Sequence, residues 1–459
     1  VTVLALLLIA ALLVARWGAR RARASDDYFV AGRRAGAWLV GIAGTAAGIS
    51  AFTFVGGPGL FAVAGIGSLW IVLSAPLTGA LQCWAVGEPV AVISASHRVL
   101  TLPELLEVRL GGRTVRGVAA AVVVVGCVAS LAVQAQAAAV LGETLLRVPG
   151  ALAAAVIMAG TAAYTAAGGM RAGLVADAAQ GAVMAVVALT VAAAALAVTG
   201  GPGPAADALR NARPELLGSF GTTPPATAWA WWALFCLGTC AQPHYVQKFF
   251  FLRSPAQLRA LPGILTAALA VTLTVWLGVG LAGTALAARG TLTPSRPDDL
   301  APLVVERLGG WAVILVGVAV LAALMSTSAS FLNLAAAAVT RDLPAAWGRA
   351  PLGLGTARAA TVVAAAASTA VALASDRAVA LLGVAGWGFF TAALLPVMTV
   401  GLVWRRASSS AAVAAMASGA LVDLALEVVR GSLPPGLEPG LAGAAVGTLL
   451  LVMLSRRGP

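Results

Sequence analysis

The chain has 459 residues, 60% of them hydrophobic and 10% charged, where a soluble domain carries roughly 25% charged residues. That is too little charge to cover a water-facing surface, and the apolar residues recur in runs of the ~20 residues that cross a bilayer. The net charge of +12 does not point to nucleic acid, because the basic residues are scattered over short loops between the runs, where the positive-inside rule accounts for them.

In chain order the runs predict helices at 2–17, 36–63, 67–94, 115–145, 150–168, 178–199, 227–249, 262–287, 309–338, 357–374, 378–404, 408–428 and 437–454. The pattern predicts an all-α integral membrane protein with about thirteen transmembrane helices. Arg residues follow the first run rather than precede it, so it does not read as a signal peptide. Placing the loop at 18–35 in the cytoplasm leaves eight of the 29 basic residues outside: Arg147, Arg210, Arg213, Arg289, Arg296, Arg307, Arg377 and Arg430. The asymmetry puts the N-terminus outside and the C-terminus inside, as expected of a multi-pass protein of a bacterial-type cytoplasmic (inner) membrane. The longest outer connections, 200–226 and 288–308, are rich in Pro and Gly, and the second predicts a short amphipathic helix near 299–308.

Enzyme chemistry is not expected. His97 and His244 are the only histidines, and Cys83, Cys127, Cys236 and Cys240 lie inside apolar runs at spacings that fit no zinc or redox site. With 52 glycines and abundant alanine, close approach of helices is expected throughout.

Two spans are interrupted. In the second, residues 41–59 read GIAGTAAGISAFTFVGGPG, and Pro58 with its flanking glycines is the expected break. A carbonyl freed there is met either by a guest ion or solute or by neighbouring helices that repair a simple kink. In the seventh, residues 236–244 read CLGTCAQPH, with Gln242, Pro243 and His244 in or at the end of an apolar run. Two broken spans five helices apart point to an inverted repeat with a binding site at the midplane. The ninth span adds Ser326, Thr327, Ser328 and Ser330 to an aliphatic segment. Such hydroxyls either serve as hard ligands for a cation such as sodium or bond back to carbonyls one turn earlier. Gln134 and Gln136, two residues apart on one helix, cannot face the same way.

Several strings in order resemble the sodium/solute symporter family. They are DDYFVAGRR at 26–34, FVGGPG at 54–59, TLPELLEVRLG at 101–111, GGMRAGLVADAAQ at 168–180, QPHYVQKFF at 242–250 and LAALMSTSAS at 321–330. The resemblance implies the leucine-transporter-type fold, a 5+5 inverted repeat, within a single membrane domain over 1–459. The first helix and loop (1–35) and helices 12–13 (405–459) would be peripheral, with repeats at 36–199 (helices 2–6) and 227–404 (helices 7–11). It implies sodium-coupled uptake of a small organic solute by alternating access, with sodium as the coupling ion. The ion would lie between the carbonyls of Ala46, Ile49 and Ala323 and the hydroxyls of Ser326 and Thr327. Asp177 would line the inner exit path; read from the residues alone, it is equally a helix N-terminal acid favoured by the dipole.

The matching substrate positions are Ser50, Phe52, Thr53, Gln134, Phe235 and Thr239. Gly48, Phe52 and Thr53 stand where the sugar-carrying branch has polar side chains, so a sugar is not expected. The QPH string resembles the proline-carrying branch, but Gly48 and Thr239 depart from it. An amino acid or a monocarboxylate is the expected solute, with the bilayer as surroundings and neither nucleic acid nor an obligate protein partner. Proton-coupled or uncoupled carriage, or sensing without flux, are the competing readings.

Overall fold

The computed structural model describes residues 35–375 and 377–455, and these are helical almost throughout. The expected helix at 2–17 and the string at 26–34 lie outside the described residues. The chain runs as α1 (Ala37–Gly48), α2 (Gly57–Ala64), α3 (Ala75–Gln82), α4 (Glu88–His97), α5 (Leu102–Leu110) and α6 (Arg113–Thr144). Then come α7 (Gly150–Val198), α8 (Pro202–Ala212), α9 (Pro225–Gly238), α10 (Pro243–Phe249), α11 (Leu261–Ala288) and α12 (Leu300–Leu308). The remainder is α13 (Gly310–Ala337), α14 (Leu343–Ala346), α15 (Leu354–Leu373), α16 (Val379–Pro396), α17 (Ser409–Val428) and α18 (Pro439–Ser455). Among the described residues nine segments are long and apolar enough to cross a bilayer, and Pro439–Ser455 is a shorter apolar helix.

The third expected span is displaced. It was placed at 67–94, but the helical rod is Ala75–Gln82 and Glu88–His97 joined by a π turn, and 65–71 form a 3-10 turn leading in. Glycine at 65 and 67 explains the shift. A Cβ at Gly65 would fall 2.1 Å from Leu216 O and one at Gly67 2.0 Å from Phe220 O, so this segment packs under a loop rather than in a helix bundle.

α7 is helical from Gly150 to Val198, which would span about 74 Å if straight, at about 1.5 Å per residue. It is not straight. Ala153 lies against Gly142, while Ala188 and Val191 share a small apolar cavity with Leu141 and Leu145. Two points 35 residues apart on one helix cannot both reach the end of α6 unless the chain doubles back. The element is therefore two membrane segments, Gly150–Ala167 and Gly173–Val198, matching the two expected there.

The first break is not at Pro58. α1 ends at Gly48, Ile49 and Ser50 leave the helix, and the chain re-enters through a π turn at Phe52–Gly56. Pro58 follows directly on that π turn, inside a helical run that is continuous from Ala51, and such a widened turn is a local adjustment by which a membrane helix takes up a proline. The glycines of FVGGPG serve close approach: a Cβ on Gly57 would lie 2.0 Å from Nε1 of Trp276, and one on Gly59 2.7 Å from Pro297 O. Ser50 organises the real break, its Oγ accepting the Phe52 N–H at 3.2 Å and its carbonyl accepting the Thr53 N–H at 2.9 Å.

One end of the bundle, the basic face, is held by ion pairs. Thr101 caps α5 by accepting the Glu104 N–H at 3.2 Å. It also donates to buried Asp342 at 2.8 Å. Arg116 of α6 pairs with Asp342 at 2.8 Å and with Glu107 at 3.0 Å. At the same face Ala35 forms an isolated bridge with Leu252: its N–H donates to Phe251 O at 3.1 Å and its carbonyl accepts the Arg253 N–H at 3.2 Å.

Candidate functional site

α13 passes through the middle of the molecule. Every residue from Ala319 to Ala338 is buried. Hydroxyls on such a helix have no water to bond and must find protein partners or a guest. Ser326 Oγ stands 3.2 Å from Ala323 O of its own helix and 3.2 Å from Ala46 O of α1. Ala46 belongs to the last turn of α1, whose carbonyls have no further N–H along the helix. A helix end and a hydroxyl helix thus meet at one point, with three oxygens in mutual reach.

Ile49, 1% exposed, stands at the break itself, and Thr327 is the next residue of α13. The structure therefore brings the Ser326 hydroxyl to the carbonyls of Ala46 and Ala323, with Ile49 three residues beyond Ala46 at the break and Thr327 next to Ser326 in sequence. Oxygens of this kind are neutral and hard, the chemistry that suits an alkali or alkaline-earth cation rather than a soft metal. Separations of 3.2 Å approach the edge of an octahedral oxygen shell, about 3.3–3.7 Å for metal–oxygen distances of about 2.3–2.6 Å. The hydroxyl bonds back to its own helix, which is one of the two sequence readings, and also reaches α1.

Against this point lies a cavity of ≈ 120 Å³, the volume of about four waters at about 30 Å³ each. Ser50, Phe52, Thr53, Gln134, Phe235 and Thr239 all line it, and Thr327 connects it to the oxygen cluster. Gln136 is not among the lining residues, as the helical period requires. Phe52 stacks on Phe235 with centroids 5.9 Å apart, Phe235 on Trp387 at 4.9 Å, and Phe52 tilts against Trp276 at 5.4 Å. Phe52, Phe235 and Trp387 of this cluster face the cavity, with Trp276 behind Phe52.

The second break shapes the opposite wall. α9 ends in a 3-10 turn, Thr239–Ala241, and Gln242 is extended before α10 starts at Pro243. A Cβ on Gly238 would lie 2.3 Å from Thr391 Oγ1 and 2.6 Å from Trp387 Nε1, so glycine lets α16 approach this turn. Gln242 donates to Gly238 O at 3.3 Å and to Trp387 O at 3.2 Å. Gln242, His244 and Trp387 line the cavity, and sequence reasoning assigned none of them to it. A lone Trp in an apolar run carries no signal, whereas Gln-Pro-His did mark an anomaly whose place in the cavity only the fold supplies.

Asp177 is 2% exposed and lies near the start of the second membrane segment of α7, Gly173–Val198. Its Oδ2 accepts from Lys248 Nζ at 2.7 Å, and the two side chains are 3% and 4% exposed. An intramembrane carboxylate is tolerated when paired, and Lys248, one turn beyond His244 on α10, is the partner. Seventy-one residues separate the two, so no local pattern announces the pair.

A family model described as the sodium:solute symporter family matches residues 28–419. The sodium/pantothenate symporter of Escherichia coli (strain K12) is 27% identical over 415 residues, 88% of this chain and 85% of that protein. Among solved structures, a sodium-coupled sialic acid symporter in a substrate-bound, outward-open state superposes with TM-score 0.82 at 18% identity. The match covers 100% of this chain and 98% of that one. Mhp1, a nucleobase-cation-symport-1 family transporter, gives 0.55 at 16%, covering 94% and 95% of the two chains. The manganese transporter of Eremococcus coleocola gives 0.53 at 14% over the same shares. These structural likenesses carry the fold, a leucine-transporter-type helical membrane architecture, and the family match carries the rest: the chain belongs to the sodium:solute symporter family.

Proposed function

We propose that this sodium-coupled symporter imports a small carboxylate-bearing solute, a monocarboxylate or an amino acid, across a bacterial-type cytoplasmic membrane. The observation that carries the reading is the meeting of Ser326 Oγ with Ala46 O and Ala323 O, each at 3.2 Å, beside a cavity that Thr327 also lines. Sodium sits among Ala46, Ile49, Ala323, Ser326 and Thr327. The cavity wall includes no Lys, Arg, Asp or Glu. The bound ion is then the nearest cation available to a solute carboxylate.

Sodium ties the end of α1 to α13 and favours the conformer that accepts solute. It drives uptake only to the extent that it binds that conformer better than the others. Solute in turn tightens sodium by the same factor. The ion leaves past Asp177 once the Asp177–Lys248 pair opens. The two repeats, 36–199 and 227–404, rock about the shared site. The basic face is cytoplasmic, with the N-terminus outside and the C-terminus inside.

The test is uptake into proteoliposomes of labelled acids and amino acids under an inward sodium gradient or with potassium in its place. Hydrogen-bonding groups to a charge are worth about 1.5–3 kcal/mol each. Ser326→Ala/Thr327→Ala is therefore expected to weaken sodium activation by about 100-fold or more. Unchanged sodium activation in the double variant would overturn the ligand set.

A further inference from the structure

Helices α16, α17 and α18 meet along a seam of small residues. A Cβ on Gly419 of α17 would lie 2.1 Å from Ala392 O of α16, and one on Gly443 of α18 2.5 Å from Gly419 O. One on Gly440 of α18 would lie 2.5 Å from the Gly388 Cα of α16. Small residues let membrane helices approach this closely. On α17 the seam runs through Ala415, Gly419 and Asp423, each one helical turn from the last and so on one face. At the third of these positions a carboxyl group stands where the first two are small and apolar.

Asp423 is 1% exposed, while Leu421, Leu424 and Val428 of the same helix face outward. Its Oδ1 has no hydrogen-bond partner and lies 3.4 Å from the place a Cβ on Gly388 would take. The charged groups around it are Glu427, Arg430 and Glu438. Arg377 pairs with Glu427 at 2.8 Å, and Arg430 pairs with Glu427 at 3.0 Å and with Glu438. Two guanidinium groups thus serve two carboxylates and leave Asp423, the most deeply buried acid of the three, without one. The other elements of the seam offer no charge. α16 and α18 contain no ionisable side chain, α9 beside them has only Cys236, and α6 has only Cys127 between Gly117 and Gly142.

A carboxylate in a membrane interior is costly unless it is paired or neutralised, and the neighbouring Glu427 and Glu438 oppose a third negative charge. A hard metal cation needs a shell of about six oxygens, and the acids here are not grouped to give one. We infer that Asp423 is a proton-binding site: it holds a proton in the folded chain at neutral pH, and the neutral acid lets α17 close onto α16 and α18. The proton also turns one carboxyl oxygen into a donor. Asp423 lies five residues before the outer end of α17, a depth of about 7.5 Å, with Glu427 one turn further out, so the proton comes from the outer side. α16 carries Gly383, Gly386 and Trp387 of the cavity wall. An alkaline outer medium that strips the proton therefore loosens the helix that forms this wall, whichever solute is carried.

The experiment compares the full chain with Asp423→Asn, which keeps the shape of the neutral acid, and Asp423→Ala, which continues the seam of small residues. Unfolding equilibria are followed in mixed micelles from about pH 5 to about pH 7, where an aspartate in the unfolded chain is ionised. The folded wild type then holds one proton more than the unfolded chain, so its stability falls as pH rises. The wild-type folding constant is expected to drop about tenfold per pH unit relative to either variant. The infrared spectrum of the wild type at neutral pH should show a protonated-carboxyl band that both variants lack.

Parallel stability curves for wild type and variants, or no infrared band lost with Asp423, would overturn the inference. So would a stabilisation by sodium or potassium ions that the wild type shows and Asp423→Asn loses, because the carboxylate would then hold a metal cation. Should neither variant fold at any pH, the seam requires the charge and the inference falls.

Discussion

The two broken helices solve one problem in opposite ways. At the first, between α1 and α2, the Ala46 carbonyl is met from another helix by the Ser326 hydroxyl at 3.2 Å, a neutral contact that the hydroxyl shares with Ala323 O. At the second, between α9 and α10, the break carries its own donor: Gln242 reaches back to Gly238 O and across to Trp387 O. The first break is met by a hydroxyl from another helix. The second is closed within the protein and is suited to shaping a wall. Pairing in sequence and fold therefore does not mean pairing in role.

The largest perturbation of this contrast comes from below it. Lys248→Met leaves Asp177 charged and unpaired in the interior, at a cost of about 3–5 kcal/mol. The unfolding midpoint in detergent is expected to fall steeply, and the double variant Asp177→Asn/Lys248→Met should recover most of the loss. A single variant as stable as wild type would mean the pair is not what holds α7 against α10.

Next in size, Gln242→Leu strips the second break of its donor and leaves carbonyls unmatched, costing about 1–3 kcal/mol. Sodium-induced stabilisation, which follows RT ln(1 + [Na]/Kd), should nonetheless persist with little change. If Gln242→Leu abolished the sodium response instead, the division of labour between the breaks would be wrong.

The smallest effect belongs to Ser50→Ala. It removes the acceptor for the Phe52 N–H at a cost of about 0.5–1.5 kcal/mol. Because Ser50 sets the geometry of the first break, sodium affinity should move with stability. A stability loss with unaltered sodium affinity would detach the turn from the ion site.

What the sequence disclosed follows the physics of each feature. Ser326 and Thr327 were legible because hydroxyls are conspicuous in an aliphatic helix. Ala46, Ile49 and Ala323 act through carbonyls, which have no side-chain mark, and came only from the register of the family strings. The outward turn of Gln136 relative to Gln134 followed from helical period alone. Proline is the loudest local signal, yet the break is not at Pro58, because the π turn before it lets the helix run through. Ile49 and Ser50, ordinary residues, mark the real interruption. Asp177 was noticed, but its partner Lys248 was counted only as an inside charge, since nothing local joins residues that meet solely in the fold.

The bridge between Ala35 and Leu252 carries a mechanical consequence. Two backbone hydrogen bonds, at 3.1 and 3.2 Å, fasten the entry to α1 onto the exit from α10, so the basic ends of both discontinuous helices form one lever. Being made by the backbone, this contact tolerates most side chains at its two donor positions, and proline at Ala35 or Arg253 is the substitution that removes one of its N–H groups.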